Sequence, residues 1–187
     1  MKRVLFWVVV LVTAVAMMLS AEVKTRDFPV KAGQTLDVDL RSGGRITVAG
    51  WDREQVQVNV DLREGSEADW GIEMEATAGG VEVRSRAREG RLHTSPSFVF
   101  QVLRRFDLKL KTVGGAIDLK NVEGRIIGRT MGGKLEMAGL KGELTMETMG
   151  GGVTLRDSRV DGAVKTMGGR VLIENVVGDI KGSSMGG

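Results

Sequence analysis

Apolar and polar residues alternate along most of this chain, in short segments that are bounded by glycine. The clearest alternating pairs are Ile117 and Leu119, Leu135 and Met137, Val153 and Leu155, and Val171 and Ile173. A period of two residues is typical of a strand with one buried face. A further short strand is predicted around each of Ile126, Leu144, Val164 and Ile180. Because helical spacing is absent, the pattern predicts an all-β protein.

A tetrapeptide of the form Thr-X-Gly-Gly recurs at one fixed spacing in the second half of the chain. It begins at Thr112, Thr130, Thr148 and Thr166, and a variant begins at Ser184, so the copies follow one another at a constant 18-residue step. A fixed period of roughly 20 residues is typical of coils that stack on their neighbours. We therefore predict a single-stranded parallel β-solenoid, resembling a β-helix, with 18-residue coils over residues 107–187. Corners are expected at each tetrapeptide and at residues 121–124.

The first half of the chain contains similar corner and strand sequences, but they do not recur at the 18-residue spacing. Residues 42–48 repeat a corner and a strand, and strands are predicted at 55–60, 72–76, 81–83 and 98–100. We interpret residues 22–106 as an irregular β segment that caps the solenoid, since an end coil otherwise exposes unpaired strand edges. Residues 183–187 open another corner and then stop, from which we expect a C-terminal truncation of a longer array. The alternative is an uncapped edge that supports head-to-tail self-association.

Residues 1–21 form the pattern of an export signal, with Lys2 and Arg3 followed by an apolar run from Val4 to Leu19. The run is short for a membrane span, so cleavage after Ala21 is favoured over retention as an N-terminal anchor.

Without this segment 25 basic and 24 acidic residues remain, and this balance argues against a nucleic-acid partner. The chain contains no cysteine, so packing alone must stabilise the fold.

The sequence resembles a family of secreted bacterial adhesin-like β-solenoid domains of unknown function, also described as toast-rack-like. The resemblance rests on the segment Ser-Gly-Gly-Arg-Ile-Thr-Val-Ala-Gly-Trp-Asp at 42–52, the strand at 56–60 and the Thr-X-Gly-Gly coils. It implies an exported scaffold or surface protein with no assigned enzymatic activity, and it supplies no functional residues. Met-Gly-Gly departs from the usual repeat pattern, so the role of the methionines is not covered by the resemblance.

The side chains that most often carry chemistry offer no convincing site in this sequence. His93 is the only histidine and has no cysteine partners for a zinc site. The row of Asp118, Glu136, Thr154 and Leu172 lacks the repeated acids of a calcium-binding ladder. Trp51 and Trp70 could stack on sugars, although packing is favoured, and nothing singles out a glycosidase pair among Glu136, Glu143 and Glu147. We therefore predict no catalytic, cofactor-binding or metal-binding residues and no cofactor.

Methionines recur at the X position of the tetrapeptide, at Met131, Met149, Met167 and Met185. In stacked coils they would form a ladder with a step of about 4.8 Å. Packing over the Gly-Gly corner is the favoured interpretation. The alternatives are a partner-binding stripe and a Cu(I) site made of soft sulfur atoms.

We interpret the chain as a non-enzymatic, exported scaffold or adhesion-like binding module of the bacterial periplasm or cell surface. Its broad faces would contact an unknown protein or a glycan of the cell envelope, and it would meet the membrane only through an uncleaved N-terminal segment. One alternative is a right-handed β-helix enzyme acting on polysaccharides. Another is a self-assembling structural protein.

Overall fold

The computed structural model describes residues 23–62, 69–86 and 95–187, and these residues form β-strands and turns without a helix. The predicted all-β class is confirmed. The strands are β1 (Val23–Pro29), β2 (Thr35–Leu40), β3 (Arg45–Trp51), β4 (Gln55–Asp61), β5 (Glu73–Thr77), β6 (Gly80–Ser85), β7 (Ser97–Leu103), β8 (Asp107–Thr112), β9 (Ile117–Lys120), β10 (Glu123–Thr130), β11 (Leu135–Ala138), β12 (Lys141–Thr148), β13 (Val153–Thr166), β14 (Val171–Val177) and β15 (Ile180–Ser184).

All of these strands belong to one mixed sheet. Its path runs β1-β4-β7-β3-β9-β11-β13-β12-β10-β8-β2-β6-β5, and β14 and β15 both pair with β13. The long strand β13 joins two arms, since its first residues pair with β11 and its last with β12. The 13-strand path is therefore nearly closed and barrel-like. The prediction of a parallel single-stranded solenoid is wrong for the sheet as a whole, because three of its strand pairs are antiparallel.

Within the repeat region the predicted period sets the strand register. Leu108 pairs with Ile126, Ile126 with Leu144, and Leu135 with both Ile117 and Val153, so paired residues are equivalent positions of consecutive repeats. Side chains alternate between a buried and an outward face along each strand. Buried aliphatic residues from both arms form one hydrophobic core. The sequence period therefore fixes which side chains face the interior.

Both predicted corners are found. The chain breaks from strand at each tetrapeptide and again near Asn121. At the second corner Asn121, Asp157 and Asn175 have φ of 56°, 48° and 51°, and Gly139 has φ of 67°. These four residues occupy the same position of successive repeats, and asparagine, aspartate and glycine tolerate the left-handed region better than other residues do. The second corner thus repeats by conformation although its sequence varies.

The N-terminal strands differ from the irregular cap that the sequence predicted. β2 pairs in parallel with β8, and β3 pairs in parallel with β9, so this segment continues both arms. Leu36 pairs with Leu108, although the two residues are far apart in the sequence and Leu36 lies outside the tetrapeptide repeats. β1, β4 and β7 extend one arm by antiparallel pairing, and β5 joins β6 at the end of the other.

Two sequence interpretations lie outside the described residues, namely the export segment 1–21 and His93. Within the described ranges, no helix is long and apolar enough to cross a membrane.

Trp70 is 3% exposed and packs in the core, as favoured. Trp51 donates a hydrogen bond to the Gln55 carbonyl at 2.9 Å and lies beneath the Arg53 guanidinium.

Candidate functional site

The threonines of the tetrapeptide are buried and hold successive turns together. Thr130 donates its hydroxyl hydrogen to the Gly115 carbonyl at 2.9 Å, and Thr148 donates to Gly133 at 2.6 Å. The same hydroxyls accept hydrogen bonds from a glycine N–H of their own turn, as Gly151 N–H does to Thr148 at 3.4 Å. The Thr130 and Thr148 hydroxyls therefore use both hydrogen-bonding roles in buried side chains.

The second glycine of each tetrapeptide lies against the backbone of the turn before it. A Cβ on Gly133 would lie 1.9 Å from the Gly115 carbonyl oxygen, and one on Gly151 would lie 2.3 Å from the Gly133 oxygen. The first glycine is different, because a Cβ on Gly132 would meet nothing within 4 Å. Close approach of two turns therefore requires the second glycine, and it makes no such demand at Gly132.

The X residue between threonine and glycine points away from the core. The side chains at this position form one row, which we call the corner ridge: Val113 (50% exposed), Met131 (50%), Met149 (38%), Met167 (50%) and Met185 (81%). Their backbones are fixed by bonds between turns, as in Met149 N–H to the Thr130 carbonyl at 3.2 Å and Met167 N–H to Thr148 at 3.2 Å. With about 4.8 Å per turn, the ridge is about 19 Å long.

The expectation that the methionines fill the corner is wrong. Threonine fills it, because its hydroxyl satisfies a buried carbonyl and a thioether cannot donate a hydrogen bond. In the part of the chain that the structure describes, no group of three or more His, Cys, Asp or Glu side chains could hold a metal ion. The partner-binding stripe and the Cu(I) alternative stay predictions.

A second feature lies on the outer face of the other arm, where Asp118 and Glu136 are direct neighbours on β9 and β11. Arg45 Nη1 lies 3.0 Å from Asp118 Oδ2, and Lys134 Nζ lies 2.6 Å from Glu136 Oε1. They lie in a shallow concavity of about 470 Å³ that Thr47, Lys120, Thr154 and Arg156 also line. Asp118 Oδ1 is buried and receives no hydrogen bond.

The two carboxyl groups titrate in opposite directions. Burial raises the pKa of Asp118, and the neighbouring Glu136 carboxylate adds to that rise. The hydrogen bond from Lys134 lowers the pKa of Glu136. The buried, unpartnered Oδ1 of Asp118 agrees with the direction of this shift, because burial disfavours the charged form of a carboxyl group.

Replacing Asp118 with asparagine is expected to remove a pH dependence of stability. A raised folded-state pKa contributes stability that is present below the unfolded pKa and lost as pH rises through the folded value. The free energy of unfolding of the wild type should therefore fall relative to Asp118→Asn as the pH rises above about 4. Urea unfolding at a series of pH values from about 4 upward measures the difference. Glu143→Gln, which removes an exposed carboxylate paired with Arg125 on the other arm, is the control. A constant offset between wild type and Asp118→Asn would contradict the assignment.

The carboxylates considered as a glycosidase pair are not brought together. Glu136 lies on β11, whereas Glu143 and Glu147 lie on β12 in the other arm. The sequence did place Asp118 and Glu136 in one row, as an incomplete calcium ladder. What it did not reveal was the raised pKa of Asp118, because that depends on the burial of its side chain.

Comparisons with known proteins give only distant likenesses. No family model and no curated protein matches the sequence. Among solved structures, a candidate cell adhesion protein from Clostridium sporogenes shares 11% identity, covers 87% of this chain and 100% of its own, and has a TM-score of 0.37. A candidate adhesin from Bacteroides fragilis shares 16% identity over 88% of this chain and 98% of its own, with a TM-score of 0.32. A candidate lipid-binding protein from Parabacteroides distasonis shares 11% identity over 88% and 95% respectively, with a TM-score of 0.26. Scores this low support no assignment of function.

Proposed function

We propose that this chain is a non-enzymatic, exported binding module that contacts its partner through the corner ridge. The observation that carries the proposal is the concentration of exposed apolar side chains. Of seven large apolar side chains that are exposed among the described residues, five belong to the ridge, and the others are Ile127 and Val177. Apolar side chains that are exposed together in one row are typical of an interaction site.

The ridge is also built to bind without reorganising its backbone. Each ridge residue follows a threonine or serine whose hydroxyl is bonded to the neighbouring turn, and the four threonines are buried. A preorganised backbone reduces the entropy that binding would otherwise cost. Methionine adds a flexible, polarizable side chain that adapts to the shape of a partner.

The Asp118 and Glu136 pair does not favour the alternative of a polysaccharide-cleaving enzyme. The two carboxyl groups are direct neighbours on adjacent strands, whereas the carboxyl groups of a retaining glycosidase flank the sugar at about 5 Å or more. Each carboxyl group also forms an ion pair, Asp118 with Arg45 and Glu136 with Lys134. Their arrangement fits a structural pair on a sheet face.

A retention assay with a turnover assay beside it tests the proposal. The full chain, its Met131→Ser/Met149→Ser/Met167→Ser variant and a Val177→Ser control are passed over immobilised peptidoglycan, envelope glycans, envelope proteins and lipid vesicles. We expect wild type and control to be retained on the same material, the ridge variant to lose at least about tenfold in affinity, and no polysaccharide to be cleaved. Equal retention of all three, no retention of any, or cleavage that Asp118→Asn abolishes would contradict it.

A further inference from the structure

Basic side chains border the corner ridge on both sides. On one arm the residue two positions before the ridge residue is Lys111, Arg129 or Lys165, and all three side chains are exposed. On the other arm Lys134 and Arg170, also exposed, follow the Gly-Gly of their turns. Across both borders the single acidic residue is Glu147, beside Met149. The ridge is thus an apolar row between two rows of predominantly positive charge, which we call the cation borders.

Most of this positive charge is available to an external anion. Within the described ranges, Lys111, Arg129, Lys165 and Arg170 form no ion pair, whereas Arg84 and Lys109 both pair with Asp37. Glu147 lies between Arg129 and Lys165 in the strand register and offsets part of their charge. Lys134 is the exception in the borders, at 2.6 Å from Glu136. Unpaired cations also occur elsewhere on the described surface, as at Lys120, but beside the ridge they adjoin exposed apolar side chains.

An apolar row between unpaired cations is complementary to the surface of an anionic lipid bilayer. Apolar side chains enter the boundary between headgroups and acyl chains, while lysine and arginine meet phosphate groups. A second copy fits less well, because two ridges facing one another would bring like charges together. A nucleic acid would meet the cations but leave the methionines without an apolar contact.

We propose that the corner ridge docks this protein onto an anionic phospholipid bilayer. The proposal rests on the proposed function and names its partner. Attraction to the headgroups supplies affinity from the cation borders, and Met131, Met149 and Met167 provide the apolar contact. Binding is expected to weaken as salt rises, since screening acts on the cation borders and not on the methionines.

A site-specific label separates ridge contact from any contact made by the apolar segment 4–19. The chain has no cysteine, so Met149→Cys gives a unique position for an environment-sensitive fluorophore in the full chain. Val177→Cys, 60% exposed and outside the ridge, gives the control, and Met167→Cys gives a second ridge position should Met149→Cys fold poorly. Lipid-borne quenchers in phosphatidylglycerol or phosphatidylcholine vesicles then report which label meets the bilayer.

The ridge labels are expected to be quenched on phosphatidylglycerol vesicles, and the label at position 177 is not. Arg129→Glu/Lys165→Glu should weaken ridge quenching at least about 25-fold, at roughly fivefold for each cation removed. Lys120→Glu, an exposed cation away from the ridge, should leave it unchanged.

Equal quenching on both lipids, no ridge quenching, or charge reversals without effect would overturn the bilayer proposal. So would a concentration-dependent change in the ridge label without vesicles, which would indicate a second copy. If bilayer contact fails while the ridge serine variant still loses retention on glycan or protein, the proposed function stands. If that variant is retained like wild type everywhere, both proposals fail.

Discussion

Gly133→Ala is expected to destabilise the protein by about 2–6 kcal/mol, whereas Gly132→Ala, one residue earlier, should cost almost nothing. The added Cβ at 133 would lie 1.9 Å from the Gly115 carbonyl oxygen and 2.5 Å from the Ala116 nitrogen, both of them backbone atoms. Relief requires the two turns to separate, which also breaks the bond between Thr130 and the Gly115 carbonyl. Overpacking costs about 1–3 kcal/mol, and a lost buried hydrogen bond adds about 1–3 kcal/mol.

Gly132→Ala is the matched control, because its Cβ meets nothing within 4 Å and its φ is not in the left-handed region. It should change stability by less than about 1 kcal/mol, and a small gain is reasonable because alanine restricts the unfolded chain. Equilibrium urea unfolding of both variants measures the contrast. Similar free energies of unfolding for the two would show that the turns do not approach as closely as described.

The repeat region was the part of the fold most accessible from sequence. The constant period predicts both the register and the face of each side chain, because neighbouring strands are consecutive copies of one unit. The N-terminal strands were less accessible. Leu36 and Leu108 pair although they are far apart in the sequence, and nothing in the local pattern of β2 identifies β8 as its neighbour. The antiparallel pairing of β1 with β4 could not be predicted from the local sequence of either strand.

The sequence identified the positions of the ridge residues, but it did not predict the orientation of their side chains. Four of the five ridge residues were identified from their spacing, and Val113 occupies the same position in the first copy. Their orientation was missed because both residues before Gly-Gly can pack at a corner. The choice between Thr130 and Met131 depends on the Gly115 carbonyl, which enters the corner only when the turns are stacked. The cation borders likewise arise from stacking.

Removal of one complete repeat is expected to leave a folded protein. Deleting residues 117–134 places Leu135 against β3 and Leu144 against β8, in the positions that Ile117 and Ile126 hold. The inward set stays inward, so the loss should be limited to about 1–3 kcal/mol for one repeat of this length. Deleting residues 118–134, one residue fewer, turns Leu135 outward and Glu136 inward, along with every strand that follows.

Equilibrium unfolding of these two deletions, followed by circular dichroism, tests most directly whether consecutive repeats lie in register on one another. The deletion of 117–134 should give a β-rich spectrum and a single cooperative transition, and the deletion of 118–134 should give neither. Two deletion variants that unfold alike, whether both cooperative or both without a transition, would contradict the register on which the corner ridge depends.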